Sequence, residues 1–434
     1  MTSRYSLFKI NINRFYTETF PKILFLYSIF VDCINGFLQE SCNIILPVAV
    51  VYRTIIILLI LPFLFKNVRF WGNKLVILIL IIYCCALVLW HIMSDSSISF
   101  EINYFARIFY FHVILLYFLF YRNEWDEDEL VRMVVNYGFY VSVIIVFCFF
   151  SGLGYKSYGE NFGFGTKGFF IAGNDLGLTL LFTLGLGIYS FLKVRDWRRG
   201  IKLLSIILAC FLIGSRAGWF GCFLLCFFSM LYCIFKKDYS LKLSLKKRFQ
   251  FLSLFMLLGS YLMVQVLEFI YSLDTYVLDK ISLEGIINAR TWLIESAQKV
   301  ISNFGVISFF IGKGVCYLFR YNAEFLGTNE EYRAIEADYY EIIGAFGYVL
   351  GGLILILYVA FFLKSFVTFL RYPIFKNYIC CMLFMLFLGI SYNAGHAITN
   401  TMLAPAYSVV VVLVYKNYRD DREKYIRKSI SYRT

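Results

Sequence analysis

Apolar and polar positions alternate along this chain in long blocks. Twelve apolar runs, at about 23–38, 44–65, 75–93, 105–121, 131–151, 174–192, 201–214, 217–235, 250–271, 342–363, 377–393 and 397–415, are separated by polar segments. A helix that crosses a bilayer needs about 20 such residues. Lipid offers no partner to free backbone groups, so a crossing run is a helix or a barrel strand, and these runs lack the dyad alternation of a barrel. The pattern predicts an all-α, polytopic membrane bundle of about 12 transmembrane helices, the first and seventh runs being short for a span. It also predicts a single integral membrane domain, 1–434, with one long polar interruption at 272–341 that acts as a lid.

The polar segments differ in charge. Counted from an internal N-terminus, the internal segments hold the basic clusters, Asn123–Glu129 excepted: Lys66, Arg69 and Lys74; Lys193, Arg195, Arg198 and Arg199; Lys236 to Arg248; Lys364, Arg371 and Lys376; and the tail from Lys416 to Arg433. The intervening short segments are poor in Lys and Arg, and Ser94–Asn103 is mildly acidic. Basic loops stay in the cytoplasm, whereas acidic residues carry little weight, so Asn123–Glu129 fits inside as well. Both termini are therefore expected in the cytoplasm and the 272–341 loop outside. The same count places Asn174 and Asp175, Ser215 and Arg216, and Asn393 and His396 on the outer side.

Composition adds exclusions. With 60% hydrophobic and 16% charged residues, the chain cannot hide its apolar surface in a water-soluble core. The formal charge of +13 lies in the loops between spans, as topology selection places it, so nucleic acid is not expected as a partner. The 12 cysteines form no C-x-x-C pair and have no His at ligand spacing, so they read as small apolar residues. The first run has a basic lead but no small-residue cleavage site, and Asp32 interrupts it, so it reads as a retained helix.

Few residues remain for chemistry. Arg216 stands in Gly214-Ser215-Arg216-Ala217-Gly218, almost without a loop between two apolar runs; such an arginine either snorkels to water or meets an anion such as phosphate. Arg290, in Asn288-Ala289-Arg290-Thr291-Trp292, lies within an amphipathic stretch, 283–304, suited to the membrane surface, and Ile311-Gly312-Lys313-Gly314 then turns the chain back over the bundle. Glu336, Asp338 and Glu341 crowd the entry to the tenth span. The helix dipole favours carboxylates there, and a positioned carboxylate also suits the deprotonation of a sugar hydroxyl. Gly344, Gly347, Gly351 and Gly352 follow at a spacing that marks close helix packing. His396 reads as a packed histidine or a base, and with His91 and His112 it forms no metal set. Neither metal nor cofactor is expected. Asp32, Arg53 and Arg107 fall inside spans, where they pair or line a cavity. Gly163-Phe164-Gly165-Thr166-Lys167-Gly168 departs from the G-x-x-x-x-G-K-[ST] phosphate loop and reads as a re-entrant or surface turn.

Taken in order, Gly173-Asn174-Asp175-Leu176-Gly177, Ser215-Arg216-Ala217-Gly218, Arg290-Thr291-Trp292, Ile311-Gly312-Lys313-Gly314, Asp338-Tyr339-Tyr340-Glu341 with Gly344 and Gly347, and Gly395-His396 resemble the O-antigen polymerase and O-antigen ligase superfamily of bacterial envelope glycosyltransferases. The resemblance covers about 165–410. It implies a GT-C-like bundle in the bacterial inner membrane. The implied chemistry is a metal-independent, inverting transfer of glycan from undecaprenyl pyrophosphate. It makes Arg216 and Arg290 the pyrophosphate ligands, with Asn174, Ser215 and Glu341 in support.

One departure matters. The ligases show a His-Asn-like pair where this chain has Asp338-Tyr339, and that histidine is their proposed base. The resemblance therefore points to a polymerase that joins lipid-linked oligosaccharide repeats, with Asp338, or else Glu336 or His396, as base. A ligase that moves finished glycan to a lipid or wall acceptor, and a flippase for lipid-linked sugars, are the alternatives. The implied partners are the undecaprenyl-pyrophosphate-linked oligosaccharide, the bilayer and a polysaccharide chain-length regulator.

Overall fold

The computed structural model of the protein describes residues 14–44, 48–66, 71–94, 96–157, 165–235, 291–393 and 395–416. Helices dominate: α1 (Phe15–Ser41), α2 (Val48–Lys66), α3 (Trp71–Ser94), α4 (Ile98–Phe120), α5 (Glu127–Ser151), α6 (Gly173–Val194), α7 (Trp197–Leu212), α8 (Arg216–Phe235), α9 (Thr291–Ser302), α10 (Val306–Ile311), α11 (Val315–Leu326), α12 (Asp338–Arg371), α13 (Phe375–Asn393) and α14 (Ala404–Lys416). A small antiparallel pair, β1 (Tyr155–Lys156) and β2 (Thr166–Gly168), links α5 to α6 and contains the end of the glycine-rich 163–168 stretch. Lys167 there pairs with Glu40 of α1 at 3.3 Å, which ties the turn to the bundle surface.

Eight of the twelve expected spans coincide with helices long and apolar enough to cross a membrane. Two more, in α2 and α14, are shorter apolar helices, and the seventh run is the 16-residue α7. The run at 250–271 lies outside the described residues. The chain is a multi-pass membrane helix bundle.

Three helices form the centre. Ile108–Leu119 of α4, Leu176–Ser190 of α6 and Ala404–Val414 of α14 are buried on every side. Their contact is aromatic: between ring centroids, Tyr407 of α14 meets Phe111 of α4 at 5.1 Å and Phe182 of α6 at 5.7 Å. Helices α5, α7, α8 and α13 pack around α6, and α2, α3 and α11 pack on α4. The turn between α6 and α7 is tight because Arg195 takes a left-handed conformation and the Asp196 carboxylate accepts Arg198 N–H at 3.3 Å, capping α7.

Two expected boundaries move, each because of a tertiary contact. The fourth span begins at Ile98, not near 105, because Glu101 belongs to the helix. Its carboxylate is fully buried and accepts Val315 N–H at 3.0 Å and Cys316 N–H at 2.8 Å, which caps α11. The twelfth helix begins at Ala404, not 397. Residues 397–403 form a buried irregular turn held by Asp338 and by Asn400, whose Oδ1 accepts Leu403 N–H at 3.0 Å. Non-helical backbone survives at such depth only when protein satisfies it.

Helix α12 is broken. Gly347 (φ 73°, ψ 179°) interrupts its hydrogen-bond ladder. The exposed carbonyls are taken by a neighbouring turn: Lys313 N–H reaches Gly344 at 3.4 Å and Gly314 N–H reaches Ala345 at 2.9 Å. Trp90 Nε1 donates to the Gly312 carbonyl at 3.3 Å from the other side. Gly312 and Gly347 touch so closely that a Cβ on Gly347 would lie 2.5 Å from Gly312 N. Of the other α12 glycines, Gly344 packs on Leu318, Gly351 on Ile342 and Ile343, and Gly352 meets nothing.

The amphipathic stretch expected at 283–304 is described from Thr291, where α9 buries Leu293, Ser296, Ala297 and Val300 against α11 and α12. Its other face exposes Trp292. The ion-pair cluster at the opposite end joins Glu127 to Lys376 at 3.1 Å and to Lys193 at 3.9 Å. The charge pattern expects these three residues on one side of the membrane, and the fold brings them into contact.

Candidate functional site

The site grows from the N-terminus of α12, where Asp338 is almost fully buried. Its Oδ2 accepts Ser391 Oγ–H at 2.9 Å, Ala397 N–H at 2.9 Å and Ile398 N–H at 3.0 Å. One carboxylate oxygen thus ties α12 to α13 and to the turn before α14. Glu341, one turn further on, is also buried. It accepts Ile335 N–H at 3.2 Å, Glu336 N–H at 3.3 Å and the Tyr104 hydroxyl of α4. Carboxylates at a helix N-terminus that also satisfy backbone N–H groups stabilise the start of the helix.

The two turns fixed in this way carry the remaining candidates. Glu336 and His396 both have positive φ, at 58° and 61°. Side chains other than glycine rarely adopt that region, and its cost is met by surrounding contacts, most often at functional sites. The turns touch: a Cβ on Gly395 would sit 2.3 Å from the Glu336 carbonyl carbon. Both side chains are half-buried. His396 lies within electrostatic range of Asp338, Glu341 and Asp175.

Helices α4 and α6 complete the cluster. Asn174, exposed, and Asp175, half-buried, open α6. Asn400 Nδ2 donates to the Asp175 carbonyl at 2.8 Å and so locks the His396 turn to that helix end. Ser215 Oγ accepts Gly218 N–H at 3.1 Å and lies against Gly177, which places the start of α8 beside the start of α6. On α4, Tyr104 meets Glu341, and Arg107 lies one turn on, within electrostatic range of Tyr104 and Asp175.

The fold therefore gathers Asn174, Ser215, Glu336, Asp338, Glu341 and His396 at one end of the central helices. Arg216 opens α8 in the same neighbourhood. Its side chain, and the whole of Arg290, lie outside the described residues. The three intramembrane charges separate into two kinds. Asp32 and Arg53 pair at 2.7 Å, whereas among the described residues no ion pair or hydrogen bond closes on Arg107. Among the described residues no group of three or more His, Cys, Asp and Glu is arranged for a metal, and all 12 cysteines are free.

Chemically, the cluster offers a half-exposed imidazole beside buried carboxylates, at the mouth of a bundle whose floor is sealed aromatic packing. Helices α9, α10 and α11 stand against the same helices, α11 on α4 and α12, and α9 and α10 on α12. Residues 16–288, more than half of the chain, match the family model for O-antigen ligase like membrane proteins. The chain belongs to this family. No curated protein matches it. Membership carries a general function, glycosyl transfer by a polysaccharide-related membrane enzyme. The matched stretch contains Arg107, Asn174, Ser215 and Arg216 and stops before Glu336, Asp338, Glu341 and His396. The second half of the site is thus joined to the family's stretch by contacts in the fold, through Tyr104–Glu341 and Asn400–Asp175.

Sequence reasoning passed over Glu101 and Tyr104. Glu101 was an available signal: an acidic residue beside an apolar run that needs a donor if the helix extends over it. Tyr104 carried none, since one tyrosine among 34 has no distinguishing neighbour.

Proposed function

We propose that the protein is a polysaccharide polymerase of the O-antigen or capsule type. It joins undecaprenyl-pyrophosphate-linked repeats at the outer face of the cytoplasmic membrane, with both termini inside. The observation that supports this reading best is the paired-turn cluster, in which His396 stands beside Asp338, Glu341 and Asp175 at the mouth of the bundle.

In the proposed reaction the acceptor sugar hydroxyl gives its proton to His396. Its oxygen bonds to the anomeric carbon of the growing chain. The bond from that carbon to the pyrophosphate oxygen breaks, and undecaprenyl pyrophosphate leaves. Attack opposite the leaving group inverts the anomeric centre, and no metal is required. Arg216 and Arg290 neutralise the leaving charge, for which planar guanidinium groups are suited. Among the three expected bases, His396 is preferred here. Asp338 Oδ2 already accepts three hydrogen bonds, so its proposed role is to position the histidine turn. Glu336 is the second choice, and Asn174, Ser215 and Glu341 support the site.

The match to the O-antigen ligase like family favours a second reading, transfer of finished glycan by a ligase. The replacement of the ligase histidine by Asp338 supports the polymerase. Deleting the gene and separating surface glycan on a gel tests the choice. A polymerase deletion leaves acceptor capped with a single repeat. Bare acceptor, with polymer retained on its carrier, would instead establish the ligase. Loss of both capped acceptor and outward-facing repeats would establish the flippase.

A further inference from the structure

We infer that Arg107 is a binding residue for the diphosphate of the lipid-linked donor, which rests on the glycosyl-transfer reading above. The inference comes from where α4 is open and where it is closed. Arg107 lies about 14 Å along the helix from its start, and its side chain is exposed. Asn103, one turn towards the start on the same face, is exposed too. One turn in the other direction, Tyr110 and Phe111 are 1% and 0% exposed. From Ile108 to Leu119 α4 is buried on all sides. A lipid-facing stripe would continue along the helix; this one ends. The exposure of Arg107 is therefore that of an opening into the bundle, with the guanidinium at its floor.

The surroundings say what the opening takes. An arginine within a span is costly unless it pairs or lines a polar cavity. Arg53 meets this demand with Asp32, 2.7 Å away. Among the described residues Arg107 has no such bond, although Asp175 and Tyr104 lie within electrostatic range. The carboxylates of Asp338 and Glu341 accept hydrogen bonds from backbone N–H groups and hydroxyls, and neither forms an ion pair with Arg107 among the described residues. The remaining demand is for an anion brought from outside, with several oxygens for the planar fork. A diphosphate at the head of a lipid reaches such a point, with its isoprenoid tail in the bilayer and its glycan towards His396.

The test uses the full-length chain purified in detergent, with geranylgeranyl diphosphate as probe and geranylgeranyl monophosphate as comparison. Wild type is expected to bind the diphosphate more tightly than the monophosphate. Arg107→Gln is expected to weaken diphosphate binding at least tenfold and to narrow the preference, with Arg107→Lys falling between. Equal diphosphate affinity in wild type and Arg107→Gln would overturn the inference and leave the function standing. Failure of wild type to bind the diphosphate would overturn the function and this inference together. A second measurement needs no variant: phenylglyoxal adducts at Arg107 in the wild-type chain, quantified by mass spectrometry, should fall when the diphosphate is present. The same adduct yield with and without it would also overturn the assignment.

Discussion

The Asp338 carboxylate accepts the backbone N–H of Ala397 at 2.9 Å, so the first turn of α12 holds the residue that follows His396. The same oxygen binds Ile398 and Ser391. Asp338→Ala strands three buried donors, each costing about 1–3 kcal/mol, and is expected to abolish both a stable detergent-purified protein and glycan polymer. Asp338→Asn keeps an acceptor oxygen and should retain a measurable fraction of polymer. His396→Gln should lose polymer by about 100-fold or more, the usual scale for removing a general base, with the protein still folded. Ladder length and intensity on gels, set against protein level, separate these outcomes. Full polymer from His396→Gln would remove the histidine from the mechanism.

Glu101 offers a stability test away from the chemistry. Its carboxylate caps α11 by accepting Val315 and Cys316 N–H. Glu101→Ala leaves those donors buried and unpaired and should cost about 2–5 kcal/mol. Glu101→Gln, with one acceptor oxygen, should cost less. Thermal unfolding in detergent should rank wild type above Gln and Gln above Ala.

Gly347→Ala is expected to destabilise the chain by about 2 kcal/mol or more, since an alanine at positive φ with extended ψ costs about 1–3 kcal/mol before any clash. The clash is with backbone, at Gly312 N and at the Ser308 carbonyl, 2.5 and 2.7 Å from the new Cβ. Gly352→Ala, where a Cβ meets nothing, is the control and should be silent. Equal melting temperatures for the two variants would mean that the break in α12 tolerates a side chain.

The Asp32–Arg53 pair predicts non-additivity. Either partner alone, as Asp32→Asn or Arg53→Gln, leaves a partly buried charge unmatched, while the double variant removes both. The coupling should lie at about 0.5–3 kcal/mol, read from the unfolding of all four proteins. Additive losses would mean that the pair contributes nothing as a pair.

Orientation is tested by labelling single cysteines in a chain whose native cysteines have been replaced. Asn393→Cys and Glu331→Cys occupy exposed positions on the side of the candidate site, and Arg198→Cys is exposed at the start of α7. An impermeant maleimide should label the first two in intact spheroplasts and the third only after lysis. The opposite pattern would turn the protein over and place the site in the cytoplasm.

How much of this was legible depends on the range of the interaction. Hydrophobic runs are local, so most spans could be placed to within a few residues. The basic loops foresaw that Lys193 and Lys376 share a side, which their common partner Glu127 bears out. Where a charge is neutralised by tertiary contact, local reading fails. Glu101 resembles a loop residue until α11 arrives to be capped. The 397–403 turn reads as the start of the last span because Ala397, Ile398, Met402 and Leu403 are apolar, but Asp338 from another helix and Asn400 within the turn hold it otherwise. The Gly347 break is likewise hidden, since glycines at small-residue spacing look the same whether they pack helices or interrupt one. The candidate carboxylates and the histidine were visible as residues. What they do to one another was not, because Asp338 and Ala397 are 59 residues apart in sequence.

The junction around Gly312 also limits how the chain can change in length. Between Ile311 and Cys316, five successive residues are each assigned to a fixed partner: Gly312 to Trp90, Lys313 to Gly344, Gly314 to Ala345, and Val315 and Cys316 to Glu101. One inserted or deleted residue anywhere in that stretch shifts every later assignment and leaves amides and a carboxylate without their counterparts. In the exposed turn at 329–331 no backbone N–H has such a partner among the described residues. Insertions and deletions among natural variants of this chain should therefore collect in that turn and spare 311–316.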